Sequence, residues 1–255
     1  MNIAVCVKQI PDPAVPGELD PETKTLKREG KLILDDSDSY GVEMALQLAD
    51  TAGGGEVTLV SMAPNDEVSG LRTALAMGAA KAVLVSDPAL QGSDALSTAK
   101  VLAKAIERAG DIDLVVTATE STDGYTGTLP AQVAELLGWP SLTFAKQIEV
   151  ADGKVKIQRQ TDVGYDVVEA DTPALITVTA GVGEPRYASL KGIMAARSKE
   201  VKKVALADLG VTRGKPSEEV LDVVDAEQRQ AGEVIEDDGS AVDKIVALLV
   251  KVKAV

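Results

Sequence analysis

Four short apolar runs, set apart by helix-length stretches, limit what this chain can fold into more than any other feature. Asn2–Val7 (NIAVCV), Glu56–Ser61 (EVTLVS), Lys81–Val85 (KAVLV) and Asp113–Thr117 (DLVVT) are short and rich in Val, Leu and Ile. They read as buried strands. The stretches between them have helical spacing. Val42, Ala45, Leu46 and Ala49 follow Asp35–Ser39, where several Asp and Ser can cap a helix, and Gly53–Gly55 ends it. Asn65 can cap a second helix bearing Val68, Leu71 and Leu75, closed by Gly78. Ser93 or Asp94 can start a third, with Leu96, Ala99, Ala103 and Ile106 inward and Gly110 as the stop. A loop, Ala118–Gly127, leads into a fourth helix that runs through Leu137. Strands alternating with helices of this length require a parallel sheet with helices on both faces, joined by right-handed crossovers. Aromatic residues are only 2% of the chain, so Val, Leu, Ile and Ala must fill the core, as they do in buried parallel strands.

The pattern changes after Trp139-Pro140. Leu142–Val150, Lys154–Gln160, Tyr165–Glu169 and Pro173–Val178 are β-like, with a turn at Asp152-Gly153. They lie too close together for helices between them and should add antiparallel strands. Ile10–Pro16 reads as a Pro-rich loop, and Thr23–Arg28 with Lys31–Leu34 as a hairpin around Glu29-Gly30. Glu200–Leu206 reads as a last strand, and Gly210–Asp237 as a polar arm. A terminal helix from about Ser240 carries Val242, Ile245, Val246 and Leu249 on one stripe. Spacing leaves open whether that stripe returns to its own domain or packs on another subunit. The expected division is an α/β domain over 1–206 and an arm with a helix over 207–255.

The formal net charge of −14 opposes binding to nucleic acid and to an anionic membrane surface. Against that acidic body, the Lys and Arg residues from Lys191 to Lys203 form a local basic cluster. Histidine is absent, which excludes a Ser-His-Asp triad and His-bearing zinc sites. Cys6 is the lone cysteine and lies in an apolar run, so an inert buried thiol is expected. Met1–Val7 does not resemble a signal peptide, and no apolar run reaches the ~18 residues of a membrane span. A reducing, cytoplasmic setting is the expectation.

In an open parallel sheet, ligands bind beyond the carboxyl ends of the strands. Lys8–Pro13, Asp35–Tyr40, Met62–Asn65 and Thr117–Thr128 meet at that edge. The last piece, TATESTDGYTGT, is rich in hydroxyls and holds Gly124 and Gly127. It runs into a helix N-terminus, where Thr126, Gly127 and Thr128 would face a phosphate. Glu120 and Asp123 would repel one unless turned away, and a capped loop without a ligand fits the pattern equally well. Neither a Walker A motif nor GxGxxG follows the first strand. No catalytic constellation stands out, so the chain is not expected to be an enzyme in its own right.

Gly183–Lys199 (GEPRYASLKGIMAARSK) leaves the last apolar run of the sheet through Gly181, Gly183 and Pro185. It then presents Arg186, Tyr187, Leu190, Ile193 and Met194 among small residues, with a short helix from Ser189. Two readings fit. The segment is a loop and helix folded back on the body, or an exposed arm whose leucine and basic residues dock on another protein.

At this point the motifs match a known family. EPRYASLKGIMAARSK closely resembles the partner-recognition segment of electron transfer flavoprotein β subunits. IAVCVKQIPDP resembles that family's first strand and loop, and LRTALAMGA its second helix. DLVVTATESTDGYTGTLPAQVAELLGWP is similar to its nucleotide loop, and IQRQTDVGYDVVEADTPALITVTA to its signature. DDSDSYGVEMAL resembles the segment in which the family usually has Asn-Pro-Phe, here replaced by Asp35, Asp36 and Ser37. The resemblance covers the whole chain.

It implies a three-layer α/β fold of the adenine-nucleotide-binding type and a heterodimer whose α subunit holds FAD. It implies structural AMP in this chain, at Cys6, Asp35, Asp36, Ser37, Asp38 and Met62 and along the loop Asp123, Gly124, Tyr125, Thr126, Gly127 and Thr128. It further implies electron transfer from acyl-CoA dehydrogenases of fatty acid oxidation, and from related dehydrogenases, toward a membrane quinone oxidoreductase. Docking would fall on Glu184, Pro185, Arg186, Tyr187, Leu190, Ile193, Met194 and Arg197. Two alternatives stay open: a bifurcating relative with a second FAD in place of AMP, and a stand-alone nucleotide-binding module.

Overall fold

The computed structural model describes residues 1–28, 31–212, 214, 216–218, 220–224, 232 and 234–254. Two compact units are present, Met1–Leu221 and Asp222–Val255. The first opens with β1 (Ile3–Cys6), followed by the short strands β2 (Gln9–Pro11), β3 (Leu19–Asp20), β4 (Thr25–Leu26) and β5 (Leu32–Leu34). Helices and strands then alternate: α1 (Asp36–Thr51), β6 (Val57–Ala63), α2 (Ser69–Met77), β7 (Lys81–Ser86), α3 (Ala95–Ala109), β8 (Leu114–Ala118) and α4 (Leu129–Leu137). The β-rich stretch is β9 (Ser141–Ala151), β10 (Lys154–Thr161), β11 (Gly164–Asp171) and β12 (Ala174–Val178). After it come α5 (Leu190–Ala196), β13 (Val201–Val204) and α6 (Leu206–Leu209). The second unit contains α7 (Ala241–Lys251), which carries the expected stripe.

A nine-stranded sheet has the order β11-β10-β9-β12-β8-β1-β6-β7-β13. Every neighbouring pair from β9 to β13 in that order is parallel. β10 and β11 add an antiparallel flap on one side. α1, α2 and α5 cover one face, over a cluster that includes Ile3, Val5, Leu59, Leu71, Leu75 and Leu84. α3, α4 and α6 cover the other, over Ala4, Val60, Leu102, Ile106, Val115 and Leu175. The three-layer, mostly parallel arrangement agrees with the alternation in the sequence. Val, Leu, Ile and Ala supply most of both clusters, as the shortage of aromatic residues demanded.

Helix starts follow side-chain chemistry. The Asp35 carboxylate accepts from the Ser37 amide at the start of α1, and Asp94 does the same from Ser97 at the start of α3. Two local expectations fail. Asn65 does not cap α2. It bonds the Glu67 amide one turn earlier, and Glu67 accepts from Val68 and Ser69 instead. The stretches Thr23–Arg28 and Lys31–Leu34 do not pair with each other. β4 pairs with β3, and β5 pairs with β2, because the buried Leu32 and Leu34 are drawn under α2. The turn Glu29-Gly30 lies outside the described residues, as does much of the polar arm after Gly210.

Leu175 is fully buried in β12. Leu175→Ala should lower unfolding stability in urea by about 2–5 kcal/mol through the cavity it leaves. Leu190→Ala, at an exposed site, should cost within ~0.5 kcal/mol. Equal losses at the two positions would contradict this packing.

Candidate functional site

The chain reverses its direction of travel across the sheet between β1 and β8. From β1 it moves through β6 to β7; it then crosses back to β8 and on to β9, and β12 later fills the place between β8 and β9. Such a reversal leaves a crevice at the carboxyl ends of the two central strands. The residues just beyond β1, the start of α1 and the loop after β8 meet there.

Asp35 organises this edge. Its carboxylate is fully buried and accepts from the Ser37 amide (3.1 Å) and hydroxyl (2.7 Å). It also accepts from the Ser121 hydroxyl (2.8 Å) and from the Thr122 amide (2.8 Å) and hydroxyl (3.0 Å). Burial alone would raise this carboxyl, but the bonds from Ser37, Ser121 and Thr122 outweigh it and hold it below its ordinary value. Asp35 therefore spends its acceptor capacity on the loop. Asp36, next to it, is exposed.

Asp123 is clamped between two cations. Its Oδ2 lies 3.1 Å from Lys8 Nζ and is bonded by the Arg28 guanidinium. Lys8 Nζ also bonds the Asp123 carbonyl at 3.1 Å. Burial pushes the carboxyl up, and the charges of Lys8 and Arg28 bring it below its ordinary value. The repulsion that Asp123 would offer a phosphate is thus neutralised within the protein. Arg28 carries no local signal, because it reaches Asp123 only through tertiary folding.

Beyond Asp123 the backbone turns left-handed at Gly124 (φ 106°), Tyr125 (φ 49°) and Gly127 (φ 65°). At Gly127 a Cβ would sit 3.4 Å from Glu120 Oε2 in a conformation that L side chains rarely adopt. Thr126, Gly127 and Thr128 are exposed, and Thr128 begins α4 without a side-chain cap bond. Leu129 and Ala131 stand ahead of the first intrahelical bond, from the Gln132 amide to the Thr128 carbonyl, and Pro130 between them carries no amide hydrogen. An open cleft of about 230 Å³ adjoins the loop, lined by Ser37, Tyr40, Thr122, Tyr125 and Thr179 among others.

Cys6 and Asp38 lie beneath this surface. Burial, reinforced by the Asp38 charge, pushes the Cys6 thiol up to about 12, which keeps it protonated and unreactive. The Asp38 carboxyl also lies well above its ordinary value. Burial is the main cause; the Lys8 amide, which donates to it at 2.6 Å, opposes that, and the Asp35 charge adds to it. Met62, on β6, is half-buried.

The segment expected to dock is the second feature. Arg186 is bolted to α1: its Nε is 2.7 Å from Glu43 Oε2, and its Nη2 is 3.1 Å from Glu43 Oε1. Its amide also reaches Glu43 Oε2 at 3.1 Å, and Gln47 bonds Oε1 at 2.7 Å. Ser189 caps α5 by accepting from Gly192 (3.0 Å). Ala196 is buried. Glu184, Tyr187, Leu190, Ile193, Met194 and Arg197 are exposed, Tyr187 at 99% and Leu190 at 78%, while Pro185 is half-buried. The folded-back reading holds for part of the segment, while its large apolar residues stay exposed. One side of the segment is folded onto the body, and the other presents an apolar face.

Among the described residues, no helix is long and apolar enough to cross a membrane, and no group of three or more Cys, Asp or Glu is placed to hold a metal.

These features define an open α/β protein with a crevice at its topological reversal and a separate apolar face. A family model described as "Electron transfer flavoprotein domain" matches residues 23–209. The electron transfer flavoprotein subunit beta of Mycobacterium bovis is 38% identical over 264 residues, covering 100% of this chain and 99% of that protein. The subunit of the same name from Thermoanaerobacterium thermosaccharolyticum is 40% identical over 209 residues, covering 82% and 79%. The caffeyl-CoA reductase-Etf complex subunit CarD of Acetobacterium woodii is 37% identical over 213 residues, covering 83% and 81%. The chain belongs to the electron transfer flavoprotein β-subunit family.

The buried carboxyls give a signed pH test. A folded value raised above the unfolded one gives stability that is full at low pH and lost as pH rises through the folded value. Asp38→Asn should therefore stabilise the protein to urea at neutral pH. Its advantage over wild type should shrink as the pH falls toward the ordinary carboxylate range. An advantage of the same size at every pH would mean that Asp38 is not raised.

Proposed function

We propose that this chain is the β subunit of a heterodimeric electron carrier, holding AMP as a structural nucleotide while an α subunit holds FAD. The crevice carries the first half of the reading. Its glycine-bearing loop runs into the uncapped start of α4, where helix-end amides and the helix dipole favour an anion. Lys8 and Arg28 flank the same loop, with the Asp123 charge already balanced. The amides of Thr126–Thr128 would hold the phosphate. Asp35 would set the shape of the loop rather than touch the nucleotide, since its oxygens are already engaged.

FAD, when bound in the α subunit, supplies the redox chemistry. This chain then needs no acid, base or nucleophile, in keeping with the absence of histidine and the protonated Cys6. The exposed face of α5 supports docking to acyl-CoA and related dehydrogenases. Burying one leucine is worth about 1.5–3 kcal/mol, enough to orient an encounter without trapping it. Delivery to a membrane quinone oxidoreductase, in a cytoplasmic setting, completes the proposal. The second unit would reach for the α subunit through the apolar stripe of α7.

A second reading puts another FAD in the crevice in place of AMP, as in a bifurcating carrier. One observation favours it: a relative is named as a subunit of a reductase complex.

Heterodimer purified from its native cell should release one AMP and one FAD. Two FAD would decide for the second reading, and no adenine nucleotide would overturn the assignment of the crevice. Leu190→Ala should slow reduction by a dehydrogenase about tenfold or more with flavin content unchanged, following the loss of one buried anchor. Loss of flavin would instead make Leu190 part of the subunit interface.

A further inference from the structure

α2 and α5 cap each other. Arg72 Nη1, on α2, lies 2.6 Å from the Ala196 carbonyl and 2.6 Å from the Lys199 carbonyl, at the end of α5. Lys199 Nζ, just past α5, lies 2.9 Å from the Leu75 carbonyl and 2.6 Å from the Ala79 carbonyl, at the end of α2. Neither helix has a basic residue in its own last turn. Each therefore takes the cation for its negative end from the other. Burial holds the Lys199 ammonium below its ordinary value.

The contact is also close. A Cβ at Gly192 would lie 2.4 Å from the Ala76 carbonyl, so only glycine allows α5 to sit so near α2. α5 has seven residues, well under the ~12–15 at which an isolated helix becomes marginally stable in water. Its shape must come from these contacts.

We propose that Arg72 and Lys199 are positioning residues for docking. By exchanging caps they hold the inner side of α5 on α2. Leu190, Ile193 and Met194 then stand as a preformed apolar face for the pocket of a dehydrogenase. Arg186 fixes the entry to the segment through Glu43, and the exchanged caps fix its exit. Preformation matters because a partner meeting a frayed segment must order it on binding. This inference rests on the carrier reading.

The test uses the intact heterodimer with Arg72→Gln, Lys199→Met and, as a third variant that leaves both cations in place, Gly192→Ala. Each is reduced by an acyl-CoA dehydrogenase with its acyl-CoA substrate. The KM for the heterodimer should rise about tenfold, the size of one lost tier of preorganisation, with kcat within about twofold. Flavin content should not change, and amide hydrogen exchange over 190–196 should accelerate. A KM unchanged in the variants, with wild type reduced normally, overturns the positioning role and leaves the carrier reading intact. Unchanged exchange in all three variants overturns it as well. If no dehydrogenase reduces the wild type, the carrier reading falls, and the docking purpose proposed for these residues falls with it.

Discussion

Parallel strands must be covered on both faces, and their crossovers must keep one hand. The rest of this molecule follows from meeting both demands at once. Helices that follow strands laid down in one direction fall on one face. When the chain travels the other way, its helices fall on the opposite face. The reversal between β1 and β8 therefore opens the sheet edge where Lys8, Asp35 and the loop after Ala118 converge. No local sequence motif is needed to make this crevice; connectivity makes it.

The same region shows how a fold manages buried charge. An isolated buried carboxylate costs several kcal/mol, so each one needs a physical answer. Asp35 answers with hydrogen bonds and becomes the hub of the loop. Glu43 answers with a bidentate guanidinium and becomes the anchor of the segment that begins at Gly183. There burial raises the carboxyl, and the bonds from Arg186 and Gln47 more than reverse it. Asp38 answers by keeping its proton: burial, with the Asp35 charge adding to it, holds that proton more tightly, and the Lys8 amide opposes this only in part. Three acids on one helix start and its first turns thus come to behave differently.

The segment Gly183–Lys199 depends on the same economy of contacts. A short run of small and apolar residues becomes a surface only because its ends are tied to α1 and α2. Leu190 is exposed not because the segment is loose but because its inner side is already committed.

The period of apolar residues in the sequence determined the strands, the helices and the three layers, because burial acts on each element's own face. It also marked the loop Asp123–Thr128 and the segment Gly183–Lys199, where glycine and hydroxyl chemistry is local. Only the tertiary structure decided which strands pair, and so that Leu32 and Leu34 join β2 rather than a hairpin across Glu29-Gly30. It alone brought Arg28 and Lys8 to Asp123, Arg186 to Glu43, and Arg72 and Lys199 to each other's helix ends. Those contacts join residues far apart in the chain, and charge pairing at such a separation leaves no period or spacing in a sequence.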